Sequence, residues 1–178
     1  MTKALFLDRD GIINIDHGYV YKSENFEFVD GIFKLCQYAM SKGYIIVVIT
    51  NQSGIGRGKY TTEQFEQLTL WMIKQFNKNN VSIKDVYYCP HHPTKGIGDY
   101  LQDCSCRKPK PGMINLAATD HDIELANSIF IGDKVSDMQA AEAAGIHNRV
   151  LVASQYDDTK QIIAHRVDNI TQAYPFIK

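Results

Sequence analysis

The sequence predicts a three-layer α/β/α fold around a mostly parallel sheet, on three observations. Short apolar, β-branched runs alternate with stretches of helical periodicity along most of the chain. Those runs do not alternate apolar with polar residues, as expected of strands covered on both faces. Several of them end abruptly in acidic or amide-bearing loops, on the edge where parallel sheets bind ligands. At 178 residues the chain has the length of one domain, spanning 1–178, and buries roughly two-thirds of its unfolded surface in a single core.

Each element has its own signature. Ala4-Leu5-Phe6-Leu7 reads as a buried strand with Asp8-Arg9-Asp10-Gly11 at its tip. Residues 30–42 carry Ile32, Leu35, Cys36 and Ala39 at helical spacing, and Gly43 suits a left-handed cap. Residues 44–49 form a second strand, followed by the loop Thr50-Asn51-Gln52-Ser53-Gly54. Thr61-Thr62-Glu63-Gln64 opens a helix with Phe65, Leu68, Trp71, Met72, Ile73 and Phe76 on its apolar face, closed by Asn79-Asn80.

Residues 86–88 make a third strand. Residues 89–111 then show neither periodicity, and hold four prolines and three of the four cysteines. A loop of that length inside a compact domain is functional or is held by something. A helix begins at Met113 and a fourth strand at Ile129, ending in Gly132-Asp133. Residues 135–144 form a helix stopped by Gly145, and 149–152 a fifth strand. Residues 155–178 are weakly patterned and are expected to pack as a final helix and a short strand. There is no internal repeat.

Composition excludes several functions. With 19 basic and 20 acidic residues, a net charge of −1, the chain has no global field for nucleic acid or an anionic membrane. Its longest strongly apolar stretch, 44–49, is far short of the roughly 20 residues of a membrane span. The N-terminus reaches Asp8 before a signal-peptide core can form. A cytoplasmic monomer is the expectation, and clustering of Cys89, Cys104 and Cys106 near two histidines points to metal ligation rather than disulfides.

Three strand tips carry reactive groups: Asp8 and Asp10, then Thr50 and Asn51, then Asp133 with Asp137. Carboxylates converging on one edge repel by about 3 kcal/mol per pair at ~5 Å and an effective dielectric of ~20, so a divalent cation is the natural counter-charge. Oxygen ligands select Mg2+. Lys108, just ahead of a helix, supplies a positive charge able to hold both a nucleophile and a phosphoryl group.

This ordered set, Asp8-Arg9-Asp10-Gly11, Thr50, Lys108 and Gly132-Asp133-Lys134-Val135-Ser136-Asp137, resembles the four motifs of haloacid dehalogenase-type (HAD) phosphatases, over residues 4 to about 152. His17-Gly18-Tyr19-Val20, the stretch from Thr50 to Gly58 and Cys106-Arg107-Lys108-Pro109 are similar to those of the D,D-heptose 1,7-bisphosphate phosphatases, with histidinol-phosphate phosphatases as near relatives. The superfamily's usual Thr after the Asp-Gly pair is Ile12 here, at a position that supports the loop.

The resemblance implies a Rossmann-like, HAD-like domain without a large cap, acting on a small sugar bisphosphate. It implies Asp8 as nucleophile and Asp10 as general acid and base, whose environments must push their pKa values apart so that Asp10 holds a proton when Asp8 does not. Mg2+ would sit on Asp8, the Asp10 backbone carbonyl and Asp133, with Lys134 and Asp137 in support, Asp137 acting through water or by orienting Lys108. Thr50 and Asn51 would donate to the phosphoryl group, and Gln52, Ser53, His17, Tyr19 and Arg107 would contact substrate, Arg107 gripping its second phosphate.

Two closely spaced pairs, Cys89 with a following histidine and Cys104 with Cys106, make a Cys3His set expected to hold a closed, structural Zn2+ in a loop (89–106) inserted after the third strand, and the resemblance favours His91 as its imidazole. The residues alone do not separate His91 from His92. Two rivals remain: a histidinol-phosphate phosphatase, and a receiver-like signalling module phosphorylated on Asp8.

Overall fold

The computed structural model describes residues 1–156 and 162–178. Among them, six strands form one wholly parallel sheet in the order β3-β2-β1-β4-β5-β6. The strands are β1 (Lys3–Leu7), β2 (Tyr44–Asn51), β3 (Ile83–Cys89), β4 (Ile129–Gly132), β5 (Asn148–Val152) and β6 (His165–Val167). The helices are α1 (Ile32–Ser41), α2 (Ser53–Gly56), α3 (Thr62–Lys78), α4 (Gly112–His121) and α5 (Val135–Ala144).

The strands' two-residue side-chain period divides the core in two. Leu5 and Leu7 of β1, Ile46 and Val48 of β2 and Ile129 and Ile131 of β4 face α1 and α3. Ala4, Phe6, Val47, Ile49 and Phe130 face α4 and α5. Local chemistry fixes the helix ends. Thr61 and Gln64 form the capping box of α3, and the chain leaves α1 through Gly43 at φ +84° and α5 through Gly145 at φ +91°.

The chain runs outward from β1 through β2 to β3, then crosses to β4 on β1's other side. The tips of β1, β2 and β4 therefore flank the point where the winding reverses, the crevice such sheets use for ligands. Two expectations need correction. Thr50 and Asn51 continue β2, and the loop after them winds into α2, so the tip groups stand on strand backbone. The tail delivers its strand first, β6 beside β5, and then a 3-10 segment, Ile170–Phe176, with Pro175 inside it. The part of the tail at 157–161 lies outside the described residues. No helix among the described residues is long and apolar enough to cross a membrane.

Candidate active site

Lys108 is the centre of the strand-tip cluster. Its ammonium is buried, 2.8 Å from Asp8 Oδ1 and 2.7 Å from Asp137 Oδ1, and donates to the Ile49 carbonyl at 2.9 Å. The charges of Asp137 and Asp8 outweigh burial, which opposes the charged form, and hold its pKa above the ordinary value. Asp137 is bifunctional: Oδ2 accepts the Asp133 and Lys134 backbone N–H groups at the start of α5, both at 3.1 Å, while Oδ1 holds Lys108. Orienting Lys108 is thus the geometry in which Asp137 is found.

Asp133 stands out as unsatisfied. Both its carboxylate oxygens are buried without a hydrogen-bond partner. Burial, then the charges of Asp8 and Asp137, raise its pKa to about 9; burial and Asp137 raise that of Asp8 to about 6, against the pull of Lys108. Such a carboxylate lacks a counter-charge. Gly11 leaves space beside it, since a Cβ there would come 2.2 Å from Asp133 Oδ2. Asp8, Asp133 and Asp137 bring one oxygen each within 4.8 Å of one another, a donor set that fits a hard divalent cation.

Asp10 lies in a different field. Oδ1 accepts from the Arg9 guanidinium at 2.9 Å and Asn14 Nδ2 at 3.0 Å, and Oδ2 accepts from Gln52 Nε2 at 3.1 Å. Burial works against the charge, but Arg9 and these donors prevail and hold the pKa below the ordinary carboxylate value. The two aspartates are pushed apart, as expected, but in the opposite order. Asp8 shares the Lys108 ammonium with Asp137 and lies among buried acids, whereas Asp10 has the Arg9 guanidinium beside it.

The remaining predicted residues divide. Asp10, Asn51, Gln52, Ser53, Tyr19, Arg107, Lys108 and Lys134 line one cavity of about 600 Å3 above the strand tips. His17 does not: it faces Glu27 Oε2 at 3.2 Å and lines a separate hollow. Asn51 lines the cavity but its amide is engaged, donating to the Lys108 carbonyl at 3.1 Å and accepting the Lys108 N–H at 3.0 Å. It clamps the lysine's backbone and spends one of its two amide N–H groups in doing so. The buried Thr50 hydroxyl accepts from Gln52 Nε2 at 2.9 Å and lies 3.4 Å from the Asn51 carbonyl.

A second cluster occupies the long loop. The sulfurs of Cys89, Cys104 and Cys106 are 3.0 to 3.4 Å apart, and His91 Nδ1 is 3.6 Å from Cys89 and 3.5 Å from Cys106. That is far beyond a disulfide bond of about 2.05 Å. It approaches the edge of about 3.8 Å in a tetrahedron with metal–sulfur bonds of about 2.3 Å. The donors therefore fit a closed thiophilic metal site. His92 Nδ1 instead accepts the backbone N–H groups of Thr94 and Lys95, at 3.2 and 3.0 Å. Arg107 donates to the His91 carbonyl at 3.3 Å, which ties this cluster to the cavity wall.

Sequence reasoning missed Arg9, Asn14, Tyr60 and Tyr156. Arg9 and Asn14 are buried against Asp10. Tyr60 donates to Gln52 Oε1. Tyr156 lines the cavity, donates to Asp16 Oδ2 at 2.8 Å and lies under the Lys134 ammonium, 4.3 Å from the ring centre.

Comparison with known proteins agrees with this geometry. The HAD-hydrolase-like family model matches residues 105–173. The D-glycero-beta-D-manno-heptose-1,7-bisphosphate 7-phosphatase of Vibrio cholerae is 49% identical over 158 residues, covering 89% of this chain and 85% of that protein. Its namesake from Escherichia coli K12 is 51% identical over 150 residues, covering 84% and 78%. Among solved structures, a HAD-like phosphatase from Mesorhizobium loti superposes with a TM-score of 0.87 at 31% identity, covering 99% of this chain and 86% of that one. The D,D-heptose 1,7-bisphosphate phosphatase of B. bronchiseptica, complexed with magnesium and phosphate, gives 0.83 at 26%, covering 98% and 97%. With these relatives matched over most of both chains, the protein belongs to the HAD-like phosphatases, in the group of the heptose 1,7-bisphosphate 7-phosphatases.

Proposed function

We propose that the chain, as one domain over residues 1–178, removes the 7-phosphate of D-glycero-beta-D-manno-heptose 1,7-bisphosphate. The observation that carries this reading is the buried Asp8–Lys108–Asp137 arrangement beside the unsatisfied Asp133, with Lys108 and the neighbouring Asp10 reaching a cavity of about 600 Å3. The close relatives' names supply the sugar and its β anomer.

Asp8 attacks phosphorus in line, forming an Asp8–phosphate bond as the bond to the sugar oxygen breaks, and the departing oxygen takes the proton of Asp10. Asp10, now a carboxylate, takes a proton from water. The water oxygen attacks phosphorus, breaks the bond to Asp8 and leaves Asp10 protonated as phosphate departs. The donors around Asp10 favour its carboxylate form and so suit this second half. Lys108 neutralises Asp8 and the transferring group. Asp8, the Asp10 carbonyl and Asp133 would hold Mg2+, which supplies charge stabilisation to the phosphoryl oxygens. Cys89, His91, Cys104 and Cys106 would hold Zn2+, stiffening the loop that presents Arg107 to the second phosphate. Four unpaired cysteines support a cytoplasmic setting.

The test is phosphate release, with magnesium, from both anomers of the bisphosphate and from histidinol phosphate, with Asp8→Asn as the blank. The β anomer is expected to turn over at least about tenfold faster than the others. Preference for histidinol phosphate overturns the substrate, and a stable phospho-aspartate without turnover favours the signalling reading.

A further inference from the structure

Gln52 joins the strand-tip cluster to a residue outside it. Its Nε2 donates to Asp10 Oδ2 at 3.1 Å and to Thr50 Oγ1 at 2.9 Å, and its Oε1 accepts the hydroxyl of Tyr60. A carboxylate oxygen only accepts, so the amide nitrogen must face Asp10 and the amide oxygen must face Tyr60. Reversing the amide would set Oε1 against Asp10 and leave the buried Tyr60 hydroxyl without its acceptor, an unfavourable exchange for groups only 2% and 6% exposed.

Tyr60 is itself built into place. Its ring stacks on Tyr21, with centroids 5.4 Å apart and planes 11° from parallel, within an apolar cluster with Ile55 and Phe65. A Cβ on Gly54 would come 2.2 Å from the Tyr60 ring, so the absent side chain there admits the tyrosine. Burial keeps the phenol protonated, and therefore a donor, throughout the neutral range.

We infer that Tyr60 is a positioning residue for the second half of the reaction: it fixes the Gln52 amide, which in turn holds the Asp10 carboxylate in the orientation that takes a proton from the attacking water. The inference rests on the proposed roles of Asp8 and Asp10 but not on the identity of the sugar. Arg9 and Asn14 hold only Oδ1, so without Gln52 the carboxylate loses its hold on the other oxygen.

The test uses p-nitrophenyl phosphate, whose leaving group departs without an acid, so that forming the Asp8–phosphate bond is insulated from Asp10. In Tyr60→Phe the ring remains and only the hydroxyl is lost. Slower hydrolysis of the phospho-enzyme lowers kcat and KM together, by about tenfold each, with kcat/KM within about twofold of wild type. Acid quenching should find a larger phosphorylated fraction in the variant at steady state. Gln52→Met should reproduce the pattern, and the double variant should be no slower than Gln52→Met alone. A fall in kcat/KM equal to the fall in kcat, no change in either, full additivity, or no rise in phospho-enzyme would overturn the inference. Failure of wild type on the heptose bisphosphate would instead overturn the substrate reading and leave this test standing.

Discussion

The two donor clusters meet at the loop before α4, yet they solve opposite problems. The strand-tip cluster stands on β1, β2 and β4, whose positions the core already determines, and it carries part of its counter-charge in Lys108. The Cys89, His91, Cys104 and Cys106 cluster holds together a run with two bridging residues, His92 and Leu101, and one short 3-10 turn between β3 and α4. The difference teaches that a cation in the first would serve chemistry on a finished scaffold, whereas one in the second would serve as scaffold.

Separating those roles has the largest expected effect. On the zinc assignment proposed above, a strong chelator or Cys104→Ser should lower the thermal midpoint by more than about 10 °C and abolish turnover through loss of the loop. Asp8→Asn should reduce turnover by more than about a thousandfold with the midpoint within about 3 °C of wild type, since it removes one of three mutually repelling buried acids. Calorimetry beside phosphate release checks both. Equal destabilisation by the two variants would end the contrast.

The second distinction is in pH. Asp8 and Asp133 are raised from 3.8 to about 6 and about 9 in the metal-free fold. The fold therefore binds protons more tightly than the unfolded chain, and their contribution to stability is full below about pH 4 and is lost as pH rises through those values. Thermal midpoints from pH 5 to 9 should fall without Mg2+, the gap to the Mg2+-bound protein widening toward pH 9. Titration calorimetry should show Mg2+ affinity rising over the same range, because binding displaces protons.

The smallest effect separates adjacent histidines. On the proposed zinc assignment, His91→Ala should cost the ion, whereas His92→Ala, which removes an acceptor for the Thr94 and Lys95 N–H groups, should cost about 1 kcal/mol and leave metal content unchanged. Elemental analysis of the two variants decides it.

Much of the strand-tip cluster was legible because its signals are local. An apolar run ending in Asp8-Arg9-Asp10-Gly11 announces a strand tip, and two close pairs of sulfur and nitrogen donors announce a metal loop. What escaped depends on partners distant in the chain. Asn51 reads as a phosphate donor, and its second task, clamping the backbone of Lys108 57 residues on, has no sequence signal. Arg9 has no role assigned from the sequence, yet its guanidinium is buried beside the rings of Phe26 and Phe65 and turned to Asp10. Tyr60 has no sequence signal, since one aromatic in a glycine-rich turn is equally a surface residue. The place of strand β6, which the sequence puts after a final helix, escaped because its three residues are half-buried or exposed and leave no periodicity.

The ion pair between Asp8 and Lys108 closes a span of 100 residues, and that span bears on biosynthesis. A chain emerging N-terminus first exposes Asp8, the proposed nucleophile, long before the lysine, the loop donors or Asp133 have been made. Until β4 docks beside β1, Asp8 is an ordinary aspartate on an unpaired strand edge. On the proposed mechanism the nascent chain lacks the groups turnover needs, and activity is a property only of the completed sheet.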